Sequence, residues 1–243
     1  MTHAAIFDVD GTLVDTNHLH VTAWWEAFRQ AGHRVAMHDI HRSVGLGGGD
    51  LIAGLLGEGR RKEEDERISA AHTTLYATYF DRLPAFDRAA ELLRELSSRG
   101  WQVVLATSAT GAELAALRRA LDADDVVRAT ASAGDTAEGK PAPDPVEHAM
   151  ELVGATAETS VFVGDTVWDM RAAARAGVTA VGVLSGGIPR EDLVESGAAG
   201  TYSDVADLLN RLGRSPFALP HVGRGTEPAP RNDLSPGPAA SPR

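Results

Sequence analysis

The stretch Asp8-Val9-Asp10-Gly11-Thr12-Leu13-Val14-Asp15 decides how the rest of the chain is read, because it sets two acids at the end of a buried strand. Ala4-Ala5-Ile6-Phe7 is a short apolar run flanked by polar residues and closed by Gly11, which predicts a core strand ending near Asp8. Residues two apart in a strand share a face, so Asp8 and Asp10 are expected to point at one spot beyond its C-terminal edge. Open α/β sheets bind ligands at that edge. Two adjacent carboxylates repel, and burying them without a cation or a shared proton is unfavourable. A divalent metal removes the difficulty. Taken alone, the same residues read as an ordinary turn, since Asp and Gly are turn formers; three other segments decide between the two.

Downstream, Leu19, His20, Ala23, Trp24, Ala27, Phe28 and Ala31 recur at helical steps and Gly32 ends the pattern, so a helix is expected from Asn17 to about Ala31. Six of the nine histidines fall within the first 41 residues. His18 and His20, two apart on a helix, point in different directions and do not make a shared metal site; His20 is placed near the entrance of the site. Val44-Gly45-Leu46-Gly47-Gly48-Gly49-Asp50 is a glycine-rich turn in which Asp50 is expected to cap a helix running through Leu56. Its glycine spacing does not match a dinucleotide fingerprint and no strand precedes it. A further helical pattern with Ile68, Ala71, Leu75 and Phe80 covers 61 to 82.

From residue 86 onward, helices and buried runs alternate, with strands expected at 102–106, 127–131, 160–163, 179–183 and 198–202. This rhythm indicates right-handed crossovers and a parallel sheet. The fold class expected is α/β, a Rossmann-like parallel sheet core with an inserted α-helical cap. Its parts are residues 1–15 (core), 16–85 (cap), 86–213 (core) and 214–243, a Pro/Gly/Ser/Arg-rich tail expected to be disordered.

The 243 residues carry 34 acids against 23 Lys plus Arg, a net charge of −11, which argues against nucleic-acid and anionic-membrane partners. Without cysteine there are no disulfides or thiolate metal sites, and no apolar stretch suits a signal peptide or membrane span. A cytoplasmic protein is expected, monomeric, with a homodimer as the alternative.

Three strand ends or loops add polar groups to Asp8 and Asp10. Thr107 and Ser108 follow the second strand and could donate to an anion. Lys140 lies in Gly139-Lys140-Pro141-Ala142-Pro143-Asp144-Pro145, where prolines stiffen the backbone; a Walker loop is excluded because Pro141 stands where Ser or Thr must bind magnesium. Val161-Phe162-Val163 delivers Asp165 and Asp169 in Gly164-Asp165-Thr166-Val167-Trp168-Asp169. Each has a plain structural reading, a strand-end hydroxyl, a surface lysine or a helix cap. Together they point to a cation-plus-phosphate site.

With DxDGTLVD at 8 to 15, Thr107, KPAPD at 140 to 144 and GDTVWD at 164 to 169, the chain resembles the haloacid dehalogenase-like superfamily of hydrolases over residues 4 to about 212. It is most similar to the branch holding phosphoglycolate phosphatases and β-phosphoglucomutases. The resemblance implies an Mg2+-dependent phosphatase acting on a small phosphomonoester through an aspartyl-phosphate. Asp8 would be the nucleophile and Asp10 the general acid and base. Mg2+ would be held by Asp8, the main-chain carbonyl of Asp10 and Asp165, with Asp169 in or beside its ligand set. Thr107, the Ser108 amide and Lys140 would bind the phosphate.

Substrate choice is assigned to His20, Arg42, Gly47 and Gly48 around the cap loop. A dehalogenase is disfavoured, since those relatives lack the acid at the Asp10 position. The alternatives are a sugar phosphomutase of the β-phosphoglucomutase type, whose cap loop commonly carries a basic residue where this chain has Gly47-Gly48-Gly49, and a non-catalytic ligand-binding protein on the same fold.

Overall fold

Along β1 (His3–Phe7) the side chains alternate between two cores: Ala5 and Phe7 pack into one, Ala4 and Ile6 into the other. A strand buried on both faces reads as a continuous apolar run, which is why this segment shows no polar alternation. The computed structural model describes residues 1–218. Residues 219–243, most of the expected tail, lie outside the described residues.

β1 leads into a helical insertion made of α1 (Asn17–Gln30), α2 (Met37–Ser43), α3 (Gly48–Leu56) and α4 (Asp65–Ala77). The insertion has its own core, in which Trp24 and Phe28 of α1, Ile40 of α2, Leu51 and Ile52 of α3 and Ile68 of α4 meet. Its two connections to the sheet run side by side: Asp15 N donates to Pro84 O and Phe86 N to Leu13 O, both at 2.9 Å.

The chain then alternates through α5 (Ala89–Ser98), β2 (Trp101–Thr107), α6 (Gly111–Leu121), β3 (Val127–Ser132), α7 (Asp144–Glu151), β4 (Ser160–Gly164), α8 (Val167–Arg175), β5 (Thr179–Val183), α9 (Arg190–Glu195), β6 (Ala198–Tyr202) and α10 (Val205–Asn210). The six strands form one parallel sheet in the order β3-β2-β1-β4-β5-β6. One face is covered by α5, α6 and α10, the other by α7, α8 and α9. The α/β fold class expected from the alternating pattern is therefore the observed one. Because chain order reverses at β1, the C-terminal ends of β1, β2 and β4 flank the crevice where such sheets place ligands.

Two local expectations fail, and one helix was not anticipated. Asp50 does not cap α3: the residue before the helix is Gly47, and Asp50 stands within the first turn, where its charge faces the helix's positive end. α2 has no counterpart in the sequence reading, because Ile40 is its one buried residue and so short a segment shows no apolar stripe. At the other end, Leu212–Arg214 forms a 3-10 turn, and Phe217 is buried, stacked on Phe7 at 6.2 Å and edge-on to Trp101 at 5.1 Å. The ordered chain thus continues past residue 213, since one aromatic ring outweighs the polar composition around it.

Candidate active site

Parallel strands all end on the same side, so Asp8 after β1, Thr107 at the end of β2 and Asp165 after β4 arrive together without any local preference for one another. Asp8 N donates to Val163 O at 2.9 Å, extending the sheet by one bond and fixing where the first acid sits. Gly11, with φ of +77°, then turns the chain. β1 ends at Phe7, so the strand alternation expected to aim Asp8 and Asp10 at one spot does not apply, and their carboxylates join two different clusters.

The first cluster joins Asp8, Asp165 and Asp169, all buried, with ligand-capable oxygens within 4.8 Å of one another. Lys140 is buried among them, bonded to Asp8 and 2.8 Å from Asp169 Oδ1, and its Nζ also donates to Ala106 O at 3.3 Å. Thr12 Oγ1 lies 2.7 Å from Asp165 Oδ1 and 3.3 Å from Asp8 Oδ2. Asn17 Nδ2 donates to Asp165 Oδ2 at 2.8 Å. Asp169 accepts from the amide and hydroxyl of Thr166 at 3.0 and 2.7 Å, a capping box that opens α8 and holds the carboxylate still.

Burial pushes the Asp8 carboxyl well above its usual range; Lys140 pulls it back, and Asp169, Asp165 and Asp10 add to the rise. Burial likewise raises Asp165 to about 7, with Asp169 contributing, despite the bonds from Thr12 and Asn17. Lys140 is raised because, although burial opposes its charge, Asp169 and Asp8 flank it. Three carboxylates against one ammonium leave a buried excess of negative charge, and Asn17 Oδ1 is buried with no hydrogen-bond partner among the described residues. Such a set of hard oxygen donors fits a small divalent cation. Space around it is tight, since a Cβ on Gly186 would fall 1.7 Å from Asp165 Oδ2 and one on Gly11 2.5 Å from the same oxygen.

The second cluster surrounds Asp10. Its Oδ1 accepts from Thr16 Oγ1 at 2.7 Å and from His20 Nε2 at 3.3 Å, and Glu113 on α6 approaches His20 Nε2 to 3.9 Å. His20 Nδ1 is 3.2 Å from His72 Nε2, and the His20 ring stacks on Tyr76 at 3.8 Å and His72 on Trp24 at 3.9 Å. Burial opposes the charge on Asp10, but the bonds from His20 and Thr16 prevail and hold its carboxyl below the usual value. For His20, burial is outweighed by Asp10 and Glu113, and its pKa rises. Burial, with His20 alongside, lowers His72 to about 3, and burial raises Glu113 to about 7.

Both clusters border one cavity of about 350 Å³ between the sheet edge and the insertion. Thr107, Ser108 and Lys140 line it from the core side; His20, Gly47 and Gly48 line it from the insertion. Thr107 Oγ1 accepts from Ala109 N at 3.1 Å, which leaves its proton to donate, and the Ser108 side chain is exposed. Arg42 departs from its expected place: it is outside this cavity, exposed, and paired with Asp192 of α9 at 2.9 Å, because the end of α2 docks on the core, where Trp168 Nε1 donates to Arg42 O and His41 meets Gly186 O. Thr12, Asn17, His72 and Glu113 were missed. Thr12 lies inside the acidic 8–15 stretch and Asn17 two residues past it, which was a signal for the first two, whereas His72 and Glu113 reach the cavity from distant helices and carried none.

Residues 2–177 match the family described as haloacid dehalogenase-like hydrolase. The chain is 30% identical over 226 residues to a phosphoglycolate phosphatase of Rhodospirillum rubrum, an alignment spanning 88% of this chain and 92% of that one. It is 31% identical over 245 residues to Protein CbbY of Cupriavidus necator, spanning 94% and 89%. Among solved structures, a hydrolase from Pseudomonas syringae superposes with a TM-score of 0.83 at 35% identity, covering 88% of this chain and 99% of that one.

Proposed function

Since the chain belongs to the haloacid dehalogenase-like hydrolases and is a phosphatase, a phosphoric monoester hydrolase, we propose that it is Mg2+-dependent and cleaves a small phosphorylated metabolite through an aspartyl-phosphate on Asp8. The observation that carries this reading is the buried Asp8–Lys140–Asp165–Asp169 cluster at the C-terminal edge of the sheet.

In this reading Asp8 and Asp165 would hold Mg2+, with the main-chain carbonyl of Asp10 and the Asp169 carboxylate completing or bracing the set. Mg2+ when bound supplies charge neutralisation and polarises a phosphoryl oxygen. Lys140, the Thr107 hydroxyl and the Ser108 amide hold the other phosphoryl oxygens. An Asp8 oxygen attacks phosphorus in line; the bond from phosphorus to the ester oxygen breaks and that oxygen takes a proton from Asp10. Asp10 then accepts a proton from water, whose oxygen attacks the phosphorus of the aspartyl-phosphate, freeing inorganic phosphate and Asp8. Because the Asp10 carboxyl is held low and His20 high, the proton that Asp10 delivers would reach it from His20 across their 3.3 Å contact.

Residues 16–85 serve as a cap that closes over the cavity and excludes water. Trp24, Gly48 and Leu51 lining the same space as Lys140 support that role. Among the described residues no helix is long and apolar enough to cross a membrane. A cytoplasmic location and action as a monomer complete the proposal.

The test is phosphate release from a set of phosphorylated metabolites with and without Mg2+. Asp8→Asn should reduce turnover below detection while circular dichroism stays unchanged. Full activity in that variant would remove Asp8 from the reaction, and an isomerised product in place of phosphate would make the protein a mutase.

A further inference from the structure

We propose that Glu113 is a specificity-determining residue that selects phosphomonoesters whose alcohol part carries hydroxyl or amino groups and no second anion. The inference rests on the phosphatase reading and goes beyond it by naming the substrate class. It starts from the charges around the cavity. Among the described residues lining it, Lys140 is the one lysine and there is no arginine. That lysine lies at the phosphate end, bound between Asp8 and Asp169. Away from that lysine, Glu113 on α6 reaches to 3.9 Å of His20 of the insertion, and Glu138 is the other glutamate lining the cavity.

The imidazoles there are not free to receive an anion. His20 is committed through Nε2 to Asp10 and Glu113 and through Nδ1 to His72, whose ring is stacked against Trp24. Arg42, the basic residue nearest in sequence to the glycine loop, is held outside by Asp192. The remaining positive feature is the first turn of α3 at Gly48, and that turn contains Asp50. A carboxylate or second phosphate placed opposite Lys140 would therefore face Glu113, and the nearest cationic group, His20, is already shared between Asp10 and Glu113, in a partly buried site where like charges repel strongly. Hydroxyl or ammonium groups would instead donate to the Glu113 carboxylate, and Ser69 and Thr73 on α4 line the same cavity with further hydroxyls.

The geometry thus separates this cavity from the substrate named for the Rhodospirillum rubrum relative, since phosphoglycolate carries a carboxylate two carbons from its phosphate. The test measures kcat/KM at pH 8 with Mg2+ for phosphoethanolamine, glycerol 3-phosphate, phosphoglycolate and a hexose bisphosphate, in wild type and Glu113→Gln. Wild type should prefer the first two by at least about tenfold, and Glu113→Gln should raise the relative kcat/KM for phosphoglycolate by about tenfold, with Glu113→Asp restoring the wild-type preference. A merely structural Glu113 would lower all four rates together and leave their ratios unmoved. Equal or better turnover of phosphoglycolate by wild type, or unchanged ratios in Glu113→Gln, overturns the inference while leaving the phosphatase reading intact. Release of phosphate from none of the four, nor from the wider metabolite set, overturns both.

Discussion

His20 on the first turn of α1 donates from Nε2 to the Asp10 carboxylate at 3.3 Å, so the insertion supplies a partner to an acid that follows the first strand of the sheet. The acid–base role proposed for Asp10 needs a defined orientation, and this contact together with Thr16 defines it. Placement of the insertion and positioning of the Asp10 carboxylate are therefore one event.

Replacing His20 with Ala is expected to lower kcat by about 10²-fold, the low end of what a positioned acid or base contributes, with little change in KM. His20→Asn, which keeps a donor on the same helix, should recover part of the loss. Steady-state kinetics on any accepted substrate checks both. An unaltered kcat in His20→Ala would detach the imidazole from the reaction.

Mg2+ should raise the melting temperature of the wild-type protein, because a ligand that binds the folded state stabilises it by about 2.7 kcal/mol at a hundred times its Kd. Gly186→Ala forces a methyl group into the Asp165 carboxylate and should erase most of that increment, as should Asp165→Asn. Thermal melts with Mg2+ or with a chelator measure it. Equal Mg2+ shifts in all three proteins would place the cation elsewhere.

His72 is held neutral in the fold, its pKa lowered to about 3 chiefly by burial, whereas an unfolded histidine titrates at about 6.5. The unfolded chain then binds the extra proton first, so the His72 contribution is intact above about pH 6.5 and lost as pH falls toward 3. Wild type should lose up to about 1.4 kcal/mol per pH unit from this group over that window. Urea titrations from pH 7 to 4 should show a shallower loss for His72→Gln, and parallel curves for the two proteins would contradict the assignment.

Phe217 closes the core beneath Phe7 and Trp101, so Phe217→Ala should destabilise the protein by about 3–5 kcal/mol, as other large-to-small aromatic changes in cores do. Chemical denaturation reads the difference. A loss below about 1 kcal/mol would mean that the ring packs without bearing on stability.

The alternation of apolar strands with helices was legible because each central strand is buried on both faces and so reads as an unbroken run, from Ala4-Ala5-Ile6-Phe7 to Val161-Phe162-Val163. Asp8, Lys140, Asp165 and Asp169 were legible as candidates because they follow a strand, stand in a proline-stiffened loop or open the helix after a strand, where side-chain chemistry is not needed for packing. α2 was not legible, since one buried residue makes no pattern, and neither was Phe217, a lone aromatic in a polar, proline-bearing stretch.

What the amino-acid order determined by itself was local: which runs are strands, which helices, and which acids lie at strand ends, because these follow from periodicities of two and 3.6 residues that neighbours in sequence impose. Which polar groups meet was decided only by the tertiary structure. Parallel strand order brought Lys140 between Asp8 and Asp169, packing of α1 on α4 set His20 against His72, and α6 carried Glu113 to the cavity. Arg42 was turned away to Asp192 for the same reason. Contacts between residues far apart in the chain depend on how whole elements pack, and no spacing within one segment encodes them.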